Sequence, residues 1–145
     1  MAFIQAYTPA GFSSTSYPNA FWDCVQINYN PMTGIGQAIY QVWETQADHD
    51  AKGTPLPFRD ARKIYAFTAI NTPFPSGQAL SGSPQQVMDA FAQATNDVIV
   101  TPAVISNGVV TTPAVTVSFF ANATLVAPNI VATPSNPAQP VLANP

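Results

Sequence analysis

Charge is what this chain has least of. Lys, Arg, Asp and Glu make up 8% of its 145 residues, against roughly 25% in a typical domain. All of them stand between Asp23 and Asp97, so the first 22 residues and the last 48 carry none. The formal net charge of −3 has the wrong sign for tracking a phosphate backbone, and no nucleic-acid partner is expected. Cys24 is the only cysteine, which excludes an intramolecular disulfide and a cysteine-built zinc site. His49 is the only histidine, and a second nitrogen ligand for a metal at Asp48-His49-Asp50 is missing. Adjacent residues of an extended segment also point apart, so that triplet reads as part of a solvated, mixed-charge connection. No run approaches the roughly 18 apolar residues of a membrane span. The start, Met1-Ala2-Phe3-Ile4-Gln5, lacks the basic and long apolar regions of a secretory signal, so synthesis in a cytoplasm is expected.

Catalytic motifs are lacking too. General acid–base work usually needs His or a perturbed carboxylate pair, and the sequence does not place its seven acids in pairs. G-x-S-x-G, the P-loop and G-x-G-x-x-G are absent. Thr33-Gly34-Ile35-Gly36 offers two glycines, but no third at the needed spacing and no following helix. The expectation is a protein that is not an enzyme and needs no cofactor.

What is present is strand pattern. Phe21 to Tyr29 and Ile35 to Glu44 are rich in aromatic and β-branched residues, which suit a pleated surface. Between them, Asn30-Pro31-Met32-Thr33-Gly34 has Pro31 to preset φ and Gly34 to take the left-handed position that ends a four-residue loop. Asn30 then pairs with Ile35, and an unbroken ladder sets Trp22 opposite Trp43. One face would carry Phe21, Val25, Ile27, Tyr29, Ala38, Tyr40 and Val42 as the core side. The other would carry Trp22, Cys24, Gln26, Asn28, Ile35, Gln37, Ile39, Gln41 and Trp43. A slip of one residue would exchange the two.

Charge then concentrates in Glu44 to Lys63, where four acids cancel four bases. Gln46 to Lys52 fits one or two helical turns closed by Gly53 in the C′ role. Lys63 to Thr68 is a third strand, with Tyr65 and Phe67 on one face. A loop over Asn71–Gly82 leads to a helix near 84–95. Ser83 caps it, Pro84 takes its first position and Gln86 completes a capping box. Its apolar stripe is Val87, Met88, Phe91 and Ala94. Past Asp97 the pattern is β again: Val98–Ile105 and Val109–Val117 flank Asn107-Gly108, the strongest short hairpin signal. Thr-Pro-Ala-Val occurs at 101–104 and again at 112–115. With a two-residue loop, Pro102 faces Pro113 in a hydrogen-bonded position, although neither has an N–H. The ladder should therefore break near Ala103 and Thr112, or its register must differ. Asn122-Ala123-Thr124 matches a glycosylation sequon by coincidence.

The fold class is mainly β (α+β): an antiparallel sheet with one short helix and extended N- and C-terminal arms. Residues 1–19 form the first arm, 20–124 a β-rich domain, and 125–145 a Pro-rich, polyproline-like second arm. An uncharged tail of Val, Ala, Thr, Pro and Asn has neither feature that keeps disordered segments soluble, so it is better docked than free. The candidate interface residues are Phe3, Tyr7, Phe12, Tyr17, Trp22, Trp43, Phe119, Phe120, Val126, Ile130 and Val141. Tryptophan is enriched at interface hot spots, and a Trp22–Trp43 platform beside Gln and Asn also admits a glycan contact.

Ala20-Phe21-Trp22, Gly36-Gln37-Ala38-Ile39-Tyr40, Asp50-Ala51-Lys52-Gly53-Thr54-Pro55-Leu56 and Lys63-Ile64-Tyr65-Ala66-Phe67 together resemble small structural proteins of tailed bacteriophages. The resemblance covers residues 20–70. It implies a virion subunit with no catalytic residues to carry over, and association with the tail, baseplate or fibre is the first expectation. Its partners would be other virion proteins and copies of itself, joined through the arms by strand addition or groove docking. Capsid decoration and a carbohydrate-binding module are the alternatives.

Overall fold

A computed structural model describes residues 2–12, 14–74 and 82–126. The protein is mainly β, with antiparallel sheets and, among the described residues, two helices. The strands are β1 (Ala2–Ile4), β2 (Phe21–Asn30), β3 (Ile35–Trp43), β4 (Arg62–Phe67), β5 (Asn96–Thr101), β6 (Val104–Ser106), β7 (Val109–Thr112), β8 (Val115–Ser118) and β9 (Thr124–Val126). Helix α1 spans Gln46–Asp50 and α2 spans Pro84–Ala94. One five-stranded sheet runs β4-β3-β2-β1-β9. Strands β5–β8 and β6–β7 form two short ladders of their own. No helix among the described residues is long and apolar enough to cross a membrane.

The first hairpin turns as its sequence predicts. Gly34 has φ +71 and its N–H donates to the Asn30 carbonyl at 2.8 Å. Asn30 pairs with Ile35 and the register holds as far as Gln26↔Ile39. There a bulge intervenes, leaving Val25 as the extra residue and Cys24 opposite Tyr40. The unbroken ladder expected from alternation is therefore corrected. Trp22 faces Val42, and Trp43 faces Phe21. A one-residue insertion exchanges the faces of everything beyond it. Trp22 and Cys24 consequently join Tyr40 and Val42 in the core, while Val25 is 44% exposed. Gln85 of α2 donates its side-chain amide to the Cys24 carbonyl at 3.0 Å, securing the bulge from beneath.

The core lies between the sheet's inner face and α2. Ser83 and Gln86 cap each other reciprocally. The helix buries Met88, Asp89 and Ala92, with Val87 and Phe91 packed at the margin. Ala94, expected in the stripe, is exposed, and Asp89 takes a place in the buried row that no apolar pattern could announce. Tyr40 donates to Asp89 at 2.6 Å. Burial, only partly offset by that bond, raises the Asp89 carboxyl to about 6.

The expected N-terminal arm is part of the body. Strand β1 sits between β2 and β9, with Phe3 opposite both Trp22 and Leu125. Farther along, Tyr7 and Tyr17 form a bridge. The Tyr7 hydroxyl donates to Asp60, and the Ala10 N–H donates to the same carboxylate at 3.0 Å. That hydroxyl bond holds the Asp60 carboxyl below its usual value. The proposed boundary at residue 20 therefore cuts through a continuous sheet.

Helix α1 is a second helix, closed differently from expectation. Lys52 takes the left-handed C′ position at φ +63. Its N–H donates to the His49 carbonyl at 3.0 Å, and the Gly53 N–H donates to Asp48 at 2.8 Å. This is a Schellman closure with Gly53 one place later, at C″. Glycine is still required there, because a Cβ would stand 2.8 Å from the Asp48 carbonyl oxygen.

Candidate functional site

Past α2 the chain leaves the body as a two-stranded ribbon, residues 96–118. Its turn is Asn107-Gly108, with φ +53 and +77 and Ser106 paired to Val109. Positive φ at both central residues is the twist-matched type I′ geometry. Below the tip, Ile105 pairs with Val110 and Val104 with Thr112, so Thr111 is a bulge residue. The Thr111 hydroxyl donates to the Val104 carbonyl at 3.2 Å. The bulge moves the register by one, so the two prolines no longer face each other. The strands lapse between Thr101 and Val104 on one side and between Thr112 and Val115 on the other. The ladder thus breaks where Pro102 and Pro113 remove its donors.

The ribbon is rooted firmly at one end. At its base, Ser118 donates to the Ala92 carbonyl of α2 at 2.8 Å. Lys63 of β4 binds Asp97 at 2.6 Å, and the other oxygen of that carboxylate accepts from the Phe119 N–H. Beyond the base, every residue from Ile99 to Thr116 except Ala103 is exposed. Ile99, Val100, Val104, Ile105, Val109, Val110 and Val115 are each between 51% and 64% exposed. Pairing and alternation place Ile105 and Val110 on one face of the tip, and Val104 and Val109 on the other. An isolated two-stranded hairpin is marginal in water, and contiguous exposed apolar area marks an interaction site.

Comparison with protein-family models, curated proteins and solved structures finds no match to this chain.

The residues expected at an interface divide sharply. Phe3, Tyr7, Trp22, Trp43 and Phe120 are buried in their own body. Phe3 stacks on Phe120 with centroids 4.1 Å apart, and Trp22 meets Tyr7, Phe119 and Phe120 edge-on. These rings supply the core because so few aliphatic side chains point inward. Tyr17 and Phe119 are half-buried, and Val126 belongs to β9. Phe12 is 54% exposed, leaning on Phe58. Ile130 and Val141, with the C-terminal arm, lie outside the described residues. The Trp22–Trp43 platform does not form. The Trp22 indole donates to the Gln5 carbonyl at 3.3 Å, and that of Trp43 to the Gly53 carbonyl at 2.8 Å.

The charged connection holds a second cluster. Both nitrogens of His49 meet carboxylates, Nε2 at 2.9 Å from Asp23 and Nδ1 at 3.0 Å from Asp50. The ring sits 4.7 Å from Phe21 and 4.7 Å from Trp43. Burial raises the Asp23 carboxyl, and the charge of His49 opposes the rise. No group of three or more His, Cys, Asp and Glu among the described residues is arranged to hold a metal. The cluster's work is mechanical: it pins α1 over the outer end of the sheet.

The ribbon's apolar residues were not in the sequence-derived candidate set. A signal for them exists. Each strand carries a proline, which bars it from a sheet interior, and no charge follows Asp97. Apolar strands that cannot be central and carry no charge stay exposed, as seven of the ribbon's Val and Ile side chains do, each more than half exposed.

Proposed function

We propose that this chain is a non-catalytic assembly subunit of a tailed-phage virion, associated with the tail, baseplate or fibre, and that the 96–118 ribbon is its joining element. The virion placement follows the resemblance in residues 20–70. The observation that carries the assembly reading is the unbroken exposure of the ribbon from Ile99 to Thr116, Ala103 alone excepted. The N-terminal arm expected to share the joining role gives way to it, since β1 is spent inside the sheet, whereas the C-terminal arm lies outside the described residues.

The body holds the element in place and the ribbon reaches a neighbour. Repetition of one modest contact around a particle would multiply its strength through avidity. The test is genetic. Virions are assembled with the chain intact, or with residues 99–116 replaced by a short Gly-Ser link. Immunoblots of purified particles should show the subunit in the first and not in the second. A subunit present equally in both sinks the ribbon's role, and one absent from both sinks the virion placement.

A further inference from the structure

We infer that the occupant of the ribbon is the ribbon of a second copy of this chain, packed face on face. The inference rests on the assembly reading, though not on the virion placement.

Three observations favour a second copy over an unrelated partner. The first is charge. The exposed length from Ile99 to Thr116 carries no Lys, Arg, Asp or Glu, and the one carboxylate at its root, Asp97, is occupied by Lys63. A complementary surface must also be uncharged and apolar. Among the described residues this chain offers such a surface in the ribbon itself, where seven Val and Ile side chains are each more than half exposed.

The second is internal symmetry. The two copies of Thr-Pro-Ala-Val lie on opposite strands, running antiparallel. Val104 pairs with Thr112 and Thr101 with Val115, so each tetrapeptide is matched end to end against the other. The middle of the ribbon therefore has an approximate two-fold axis normal to its plane. An isologous contact needs one patch to be self-complementary across the axis that relates the copies, and the internal two-fold lets a second ribbon present the same patch in either of two orientations.

The third is the edges. Pro102 and Pro113 remove backbone donors, and bulges at Val100 and Thr111 break the pairing register. Such edges are blunted against continuous strand addition. What remains for docking is side chain against side chain, with ribbons stacked about 10 Å apart as in a two-sheet sandwich. One face of the exposed ribbon, roughly 25 Å long and about 10 Å wide at the usual strand rise and spacing, is smaller than the roughly 800 Å² per partner of a standard interface. A contact of that size fits reversible association at the weak end of the range.

The test uses the full chain in solution. Cys24 is 2% exposed, and burial pushes its thiol up to about 12, so an added cysteine reports alone. Sedimentation equilibrium should show concentration-dependent self-association reaching dimer or beyond in the high micromolar range. The double variant Val104→Lys/Ile105→Lys, with one charge on each face, should be monomeric throughout and keep the wild-type melting temperature. Mild oxidation of Val104→Cys or Ile105→Cys should give a disulfide-linked dimer from at least one of the two faces. A wild-type chain that stays monomeric, a lysine variant that associates like wild type, or no cross-link from either face overturns the inference. The outcomes separate cleanly from the virion experiment. A monomer whose particle incorporation still needs the ribbon has a different partner, whereas ribbon-dependent dimers missing from particles refute only the virion placement.

Discussion

The β2–β3 hairpin and the β5–β8 ribbon draw on the same strand-forming residues, yet they end in opposite surroundings. In the first, Trp22, Cys24, Ala38, Tyr40 and Val42 are sealed beneath α2. In the second, Ile99, Val104, Ile105, Val109 and Val110 stand in water on both faces. Turn chemistry does not separate them, since both turns have the glycine geometry their sequences call for. What separates them is continuity. The β2–β3 ladder absorbs one bulge, and Gln85 steadies it. In the ribbon, Pro102 and Pro113 interrupt the ladder between its short strands, which keeps those strands out of a sheet interior. Strand-forming residues become core only where a ladder can extend sideways and something can cover its face.

This division can be broken at its strongest point first. Phe120→Ala should destabilise the chain by about 3–5 kcal/mol, because it empties a site lined by Phe3, Trp22, Tyr40 and Tyr65. Urea unfolding followed by tryptophan fluorescence measures it. A loss under 1 kcal/mol would mean that the body is as loosely packed as the ribbon.

The next effect is electrostatic. Burial holds the Asp89 carboxyl at about 6, above its ordinary 3.8. The folded state therefore takes up the proton first as pH falls. The resulting stabilisation is complete below the unfolded value and is lost as pH rises through the folded one, an effect of roughly 3 kcal/mol. Asp89→Asn should remove this slope. The stability difference between wild type and variant, measured by urea titration at several pH values, should change between about pH 4 and pH 6 and be flat above. A constant difference would show that the helix–sheet seam does not confine this carboxyl.

A smaller loss, about 1–3 kcal/mol, is expected for Gly36→Ala. The new Cβ would stand 2.2 Å from the Asn28 carbonyl oxygen and 2.8 Å from the Phe67 ring, so β3 must shift. Thermal melting reads it. The smallest change sharpens the other side of the comparison. Ile105→Thr should alter monomer stability by less than about 0.5 kcal/mol, because an exposed side chain has little packing to lose. A drop of 2 kcal/mol or more, outside the roughly 0.5 kcal/mol surface range, would show that the ribbon folds back onto the body.

Much of the fold was legible in the chain. Local chemistry carried the Gly34 turn, the Ser83–Gln86 capping box, the Asn107-Gly108 turn and the break at the prolines. All are decided within a few residues. What escaped depends on distant partners. Nothing in Phe21–Tyr29 signals a bulge at Val25, and that single residue dissolved the Trp22–Trp43 pair. Asp89 looks like a surface residue until Tyr40 is brought to it from 49 positions away. His49 gains Asp23 from 26 positions away, which no local pattern shows. For the candidate site, the aromatic residues drew attention because rings are common at interfaces, whereas here they fill the core. The exposed valines and isoleucines went unremarked because buried and unburied strands read alike in composition.

The clamp at the ribbon's root has a mechanical consequence. Lys63–Asp97 and Ser118–Ala92 fasten one end, and the tip at Asn107-Gly108 lies some ten residues away, roughly 30–35 Å at the usual rise per residue. A beam held at one end amplifies rotation. A tilt of about 5° at the root would sweep the tip by about 3 Å over a strand of that length. Small adjustments in how α2 seats on the sheet would thus become large changes in reach, and a particle built from such beams could accommodate curvature without repacking any subunit's core.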